Sequence, residues 1–384
     1  MTIRIPLARP EITERDREAV QEVLRTPYLS LGPKLGEFEQ RISDYTGSPY
    51  AVAVNSGTSA LQLAMLAFGI ERGAEVILPS FTFSALLNVI LQESLRPKFV
   101  DISPSSYNTT VERIRAAITD ETRAVIAVHT FGIPLDIEAL RAAIRERSSR
   151  SARRIHLLED ASEALGVDVR GRKAGSLGEA GVLAFYPNKQ ITTGEGGILL
   201  TSDAEIAGKA VRLRNQGRDP ALGWLNHVEV GFSYRLSEMN CALGIAQLER
   251  IEAIVAKHQQ LAEAYDGELA KVEEVVRPPL TSGIGRISWF VYPIRLTNEF
   301  SAQDRDAVCE SMRQKGIATG RYFAPLHRQP VLGSSGYDPS HLPNTEAVSE
   351  RIIALPFFNQ LTRAEIHEVS GALQESIREL RRKT

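Results

Sequence analysis

The chain predicts an α/β protein, with a large domain built on a mostly parallel sheet flanked by helices and a smaller C-terminal α+β domain. Three observations carry this. From Pro49 onward, short apolar runs alternate with helical segments, which is the pattern of βαβ units. Residues able to do chemistry (Ser59, Phe83, His129, Asp160, Lys189) fall just past the ends of those runs, where open α/β sheets bind ligands. After about residue 275 the alternation stops, and the composition becomes richer in Pro, Gly and Ser. The division expected is 1–245 and 246–384, joined by a long helix from about Met239.

A length of 384 residues supplies two or three domains. The hydrophobic share of 43% and charged share of 24% are those of a soluble globular protein. A formal net charge of −2 argues against a broad nucleic-acid-binding face. Cys241 and Cys309 cannot build a disulfide framework, and no Cys/His cluster suggests a metal. The N-terminus MTIRIPLARPEITERD has no apolar leader core, and no apolar run approaches a membrane span. A cytoplasmic protein with no membrane partner is expected.

In chain order, residues 1–10 read as extended, since Pro6 and Pro10 oppose helix. Thr13 precedes an amphipathic helix over about Glu14–Arg25, with Asp16 and Glu18 in its first turns. A turn-rich loop, Thr26 to Pro33, leads to a second helix near Lys34–Gly47, with Leu35, Phe38, Ile42 and Tyr45 at helical spacing. Strands follow at Tyr50–Val54, Glu75–Leu78, Pro97–Val100, Ala124–Val128, His156–Leu158 and Val182–Phe185. Helices at about Ala60–Phe68, through Leu91, and at Asp136–Ile144 separate them. The basic, Ser-rich run 145–154 reads as a solvated loop. A long helical pattern spans about Met239–Val272. The C-terminal part carries a strand near Trp289–Arg295, a helix near Ala302–Lys315, the loop-like stretch Tyr322–Pro343 and a closing helix near Arg363–Arg382.

Gly181 to Asp203, GVLAFYPNKQITTGEGGILLTSD, organises the rest. A strand leads to Lys189 in a polar turn, and a Gly-rich reversal leads back into a second strand. A partly desolvated lysine at a sheet rim can have its pKa lowered and attack a carbonyl. The turn Asn55-Ser-Gly-Thr-Ser59 opens a helix and can bind an anion through free N–H groups and the helix dipole. Asp160 can hold a proton on a pyridine nitrogen, and Phe83 can lie against an aromatic ring. Each residue also has an ordinary reading: a helix cap, a turn carboxylate, a core aromatic, and for His129 a satisfied core histidine. In this order they form the pattern of a pyridoxal 5′-phosphate (PLP) site.

The chain resembles the DegT/DnrJ-type sugar aminotransferases of the aspartate aminotransferase (fold type I) superfamily over essentially its whole length. The resemblance runs through IPLARPEIT, YLSLGPKLGEFE, NSGTSALQLAM, PSFTFSA, VHTFG, EDASEALG, FYPNKQITTGEGG, LRNQGR, GFSYRLSEMNCALGIAQLERI, YFAPLHRQP and LPFFNQLT. It implies Lys189 as the lysine that carries the cofactor and shuttles the proton, Asp160 as the partner of the pyridinium nitrogen, and Glu163 near the ring oxygen. It further implies Phe83 as the stacking aromatic, and Thr58 and Ser59 in the phosphate turn. Ser233, in the loop Gly217–Tyr234, and the adjacent Arg235 are implied as phosphate contacts in a neighbouring subunit's site, and His327 as a substrate-side catalytic histidine. Two positions depart from the family: Ala184, where many members have Ser, and Ser233, where GFNYR has Asn. The expected reaction moves an amino group from L-glutamate to a C4 or C3 keto group of a nucleotide-linked deoxysugar, in a homodimer with shared sites. Gly32-Pro33 resembles the family's nucleotide-sugar loop. Surface glycans and specialised metabolites are both open as destinations. The alternatives are dehydration or another PLP reaction on the same scaffold, or a regulatory protein that keeps the fold. Relatives that run the dehydration carry His in place of Lys189.

Overall fold

The computed structural model describes residues 2–151, 153–222, 225–333 and 341–382. Thr13 starts the first helix, α1 (Glu14–Leu24), through a capping box in which Thr13 and Asp16 satisfy each other's backbone N–H groups. Helix α2 (Pro33–Thr46) begins with proline and stops at Gly47, whose φ of 71° needs a residue without Cβ strain. The alternating region follows as β1 (Tyr50–Val54), α3 (Gly57–Phe68), β2 (Glu75–Pro79), α4 (Ala85–Gln92), β3 (Arg96–Val100), α5 (Val111–Ala117), β4 (Thr122–Val128), α6 (Ile137–Ser151) and β5 (His156–Asp160). A small hairpin, β6 (Asp168–Val169) and β7 (Arg172–Lys173), precedes β8 (Ala180–Ala184), β9 (Gly197–Thr201) and α7 (Ala204–Arg214).

Seven strands form one sheet in the order β1-β9-β8-β5-β4-β2-β3. β9 is antiparallel to both neighbours, and all other pairings are parallel. The C-terminal ends of β1, β2, β4, β5 and β8 therefore share one edge. Apolar side chains bury both faces, as continuous runs such as Ala124–Val128 require.

Two sequence expectations change here. The basic run 145–154 is not a loop as far as Ser151, because α6 continues through it with no Gly or Pro to stop it. Arg115 pairs with Glu146 at 2.7 Å, and Arg147 donates to the Ile118 carbonyl at 3.0 Å, which anchors the added turns. Residue 152 of that run lies outside the described residues. The single long helix from Met239 is instead two, α8 (Glu238–Leu248) and α9 (Ile251–Leu269). No Gly or Pro breaks them. The break falls at Glu249-Arg250, where the Arg250 guanidinium is held by Glu11 at 2.7 Å and Asp16 at 2.8 Å, so tertiary anchoring overrides local propensity.

The remainder holds β10 (Val275–Val276), β11 (Tyr292–Leu296), α10 (Ala302–Gln314), α11 (Pro343–Arg351), β12 (Ile352–Leu355) and α12 (Arg363–Arg381). The strands form a three-stranded antiparallel sheet, β10-β11-β12. The N-terminal residues join this unit. Ile5 bridges to Ile317, and the Phe357 N–H donates to the Leu7 carbonyl at 2.9 Å. Of the expected stretch Tyr322–Pro343, residues 334–340 lie outside the described residues.

Candidate active site

At the shared C-terminal edge a cleft of about 430 Å³ opens between the sheet and Phe290, Tyr322 and Phe323 of the C-terminal part. Each strand end supplies one wall. After β1, Ser56 caps α3 by accepting from the Ser59 N–H at 3.0 Å, and Ser56, Gly57 and Thr58 line the cleft. A Cβ on Gly57 would sit 2.7 Å from the Ala184 Cβ, so only glycine lets the helix start lie this close to the end of β8. Thr58 is exposed. Ser59 is not on the wall: its hydroxyl is turned to Asn55 Oδ1 at 2.7 Å and Ser56 Oγ at 2.9 Å. The anion-binding reading of this turn thus shifts from Thr58 and Ser59 to Ser56, Gly57 and Thr58.

After β2, Thr82 and Phe83 line the cleft, and Phe83 is 61% exposed, a large apolar ring offered to whatever fills the space. After β5, Asp160 is buried, and its Oδ1 accepts the Ser162 N–H at 3.0 Å. Glu163 follows, with Oε2 accepting the Phe131 N–H at 3.0 Å. Burial raises its pKa above the usual carboxylate range and nearby Asp160 adds to this, while Lys189 and the Phe131 N–H oppose it. After β8, the Lys189 ammonium lies 3.6 Å from Glu163 Oε1 and 4.1 Å above the centre of the Phe290 ring. The Gln190 amide ties the two turns together, donating to the carbonyls of Glu163 at 2.7 Å and Ser288 at 3.0 Å.

His129 also borders the cleft, but both its nitrogens are committed. Nδ1 accepts the Leu135 N–H at 3.0 Å, so Nε2 carries the proton it gives to Glu159 Oε1 at 2.8 Å. Glu159 accepts three backbone N–H groups besides: Gly175 at 2.7 Å, Leu177 at 2.9 Å and Gly178 at 3.0 Å. Burial pushes the Glu159 pKa up, but these donors outweigh it and hold the carboxyl below its usual range.

The structure does not bring His327 to the cleft wall. Its buried ring bonds Ser80 Oγ at 2.7 Å and Glu346 Oε1 at 2.6 Å, and its backbone N–H also meets Ser80 Oγ, at 3.2 Å. It braces the strand end that carries Thr82 and Phe83. Ser233 and Arg235 lie off the cleft too, with Arg235 donating to Ser233 Oγ at 2.7 Å and Asn215 Oδ1 at 3.0 Å. Of their loop, residues 223 and 224 lie outside the described residues. Sequence reasoning missed Ser162, Tyr186, Asn188, Phe290 and Tyr322 as lining residues. Asn188 adjoins the lysine and was findable; Phe290 and Tyr322 come from the distant C-terminal part and leave no local signal.

The cleft fits a PLP-sized aromatic phosphate. It joins a helix N-terminus with close glycine packing, an exposed aromatic face, a buried carboxylate held by an N–H, and an amine 3.6 Å from a second carboxyl group, that of Glu163. No helix among the described residues is long and apolar enough to cross a membrane.

Three relatives place the chain. GDP-perosamine synthase of Caulobacter vibrioides is 35% identical over 97% of this chain and 98% of its own. The solved structure of DesV from S. venezuelae is 30% identical, with a TM-score of 0.88, covering 97% of this chain and 98% of that one. A putative sugar aminotransferase, Spr1654 from Streptococcus pneumoniae, shares the fold with a TM-score of 0.93 at 24% identity, over 99% of both chains. The profile of the DegT/DnrJ/EryC1/StrS aminotransferase family matches residues 10–374, and the chain belongs to that family.

Proposed function

We propose that this protein is a PLP-dependent aminotransferase that moves the amino group of L-glutamate to a C4 or C3 keto group of a nucleotide-linked deoxysugar. The observation that carries the reading is Lys189, its ammonium 3.6 Å from Glu163 in a cleft that also presents Asp160. PLP, when bound, supplies an electron sink for the charge that develops as the substrate C–H bond breaks. Asp160, fixed by the Ser162 N–H, is the residue to hold a proton on the pyridine nitrogen. Ser56, Gly57 and Thr58 are placed to take the phosphate. Phe83 offers its ring face, and Glu163, 3.6 Å from the Lys189 amine, would lie near the ring oxygen of bound PLP. Lys189 accepts the proton from the donor carbon and returns it later. Its presence favours transamination over the dehydration run by relatives with His there. Identity to a GDP-perosamine synthase makes a GDP-linked keto sugar the first acceptor to test.

A cytoplasmic homodimer is part of the proposal. Ser233 and Arg235 reach no part of this chain's cleft, and their loop exposes Leu225 at 74% and Val230 at 90%, which suits a surface covered by a second copy. Mixing Lys189→Ala with Arg235→Ala protomers should restore partial activity, and a verified mixed dimer without it would count against a shared site. The chemistry is tested by the visible spectrum of the purified protein. A yellow band that bleaches with L-glutamate is expected in the native protein and not in Lys189→Ala. A protein that stays colourless after incubation with PLP would overturn the catalytic reading.

A further inference from the structure

A second, smaller cavity meets the cleft at Asn188, Lys189 and Phe290 and is otherwise walled by different residues, among them Gln190, Thr192, Gln247, His258 and Asn359. Its rim at Arg9 and Pro10 is exposed. The volume, about 30 Å³, holds about two waters, since one needs ~10–15 Å³. Its polar walls are unsatisfied in one direction. Asn359 Nδ2 donates to Glu11 Oε2 at 2.9 Å, which leaves Asn359 Oδ1 buried and without a partner. Asn188 Oδ1 is likewise buried and unpartnered. The His258 Nδ1–H donates to the Trp289 carbonyl at 2.8 Å, so Nε2 is an acceptor. Burial pushes the His258 pKa down to about 4, which keeps that nitrogen unprotonated at neutral pH.

Three of the side chains that line this small cavity carry an acceptor, two of them buried without a protein partner, and together they call for a ligand that donates. A cation fits poorly, because Lys189 already stands at the boundary and Glu11 is neutralised by Arg250 at 2.7 Å. A neutral donor of this size is water. We propose that the cavity holds ordered water bonded to Asn188, Asn359 and His258, and that Lys189 exchanges its amine protons with bulk solvent through it. Each exchange breaks an N–H bond, forms an O–H bond and returns a solvent proton to the nitrogen, so no net proton is consumed. The exposed rim makes the cavity a short route that bypasses the cleft, which substrate fills during the reaction. The exchange step rests on Lys189 being the proton carrier of the proposed reaction; the water site does not.

The test follows deuterium. The holoenzyme is given L-glutamate deuterated at Cα in ordinary water, and label lost to solvent is compared with amino transfer. Native protein should release most of the label. Asn359→Leu, which fills the cavity, should lower the label lost per transfer several-fold while glutamate still bleaches the visible band. Asn359→Ser, which enlarges the cavity, should not lower it. Equal washout in all three, or loss of bleaching in Asn359→Leu with its colour intact, would overturn the exchange route. A high-resolution crystal structure of the cofactor-free full chain tests the water directly: density bonded to Asn359 Oδ1 and His258 Nε2 is expected, and a dry cavity refutes the site. If native protein ignores glutamate altogether, it is the aminotransferase reading that fails, and the crystal structure still decides the water site.

Discussion

Replacing Glu159 with glutamine, outside the cleft, should strongly destabilise the fold. The Glu159 carboxylate accepts four donors, from His129, Gly175, Leu177 and Gly178, at 2.7–3.0 Å, and it is fully buried. Glutamine has one oxygen, so its NH₂ must face two of the four donors in either orientation. Facing Leu177 and Gly178, it meets two N–H groups that cannot accept. Facing His129 and Gly175, it requires the imidazole to move its proton to Nδ1, where the Leu135 N–H already points. Two bonds to a charged acceptor are lost either way, at about 1.5–3 kcal/mol each, so Glu159→Gln should cost about 3–6 kcal/mol. That is a large share of the ~5–15 kcal/mol by which domains are stable. Equilibrium urea unfolding of the cofactor-free chain measures it. The folded pKa of Glu159 lies below the ordinary 4.5, so its contribution is present above that pH and is lost as pH falls through the folded value. The gap between the two proteins should therefore close in acid. A loss under about 1 kcal/mol at pH 7, or a gap independent of pH, would refute an ionised Glu159 held by four donors.

Three further outcomes are expected. Ala184→Ser adds a hydroxyl donor on the cleft wall beside Gly57 and should tighten PLP by about 1 kcal/mol, roughly fivefold, in a titration of cofactor-free protein; weaker binding would place the phosphate elsewhere. His327→Ala breaks the bonds to Ser80 and Glu346 and should cost about 2–4 kcal/mol in urea unfolding while the glutamate half-reaction persists; a stable variant with that half-reaction abolished would return His327 to the catalytic set. The folded pKa of His258 falls from 6.5 to about 4, so the unfolded chain binds a proton there that the folded chain does not, and stability should fall by up to about 3 kcal/mol as pH drops from 6.5 to 4; His258→Gln should flatten that slope, and an unchanged slope would assign it to other groups.

What could be read from the sequence divides by range. Thr13 with Asp16, and Gly47 after a periodic run, are local signals, and the structure obeys them because capping acts within one helical turn. The parallel sheet was legible because βαβ alternation is itself a topology rule. The break at Glu249-Arg250 was not, since it depends on Glu11 and Asp16, more than two hundred residues earlier. The same division governs the site. Asp160 and Lys189 were placed by their position after strands. Ser59 was named from its turn after a strand and His327 from the family resemblance, but which way such a side chain turns is decided by its partners: Asn55 for the first, Ser80 and Glu346 for the second.

Glu163 shows why the chemistry is sensitive to these longer contacts. Its carboxyl faces the Lys189 amine at 3.6 Å, and burial favours its protonated form while the lysine favours its charged form. What tips that balance is the geometry around the pair. The Phe131 N–H reaches Glu163 from a turn in which Phe131 takes a φ of 59°, and a Cβ on the following Gly132 would strike the Ser288 carbonyl at 1.8 Å. Ser288 in turn bonds the Leu165 carbonyl at 2.6 Å and, through its own carbonyl, the Gln190 amide beside Lys189. The C-terminal part of the chain thus sets the spacing between an acid and an amine that both belong to the large sheet. A substitution at Gly132, which touches neither charge, should therefore alter the pH dependence of the glutamate half-reaction as well as stability. A Gly132→Ala protein that loses stability but keeps the native pH profile would show that the packing supports the fold and leaves the proton balance alone.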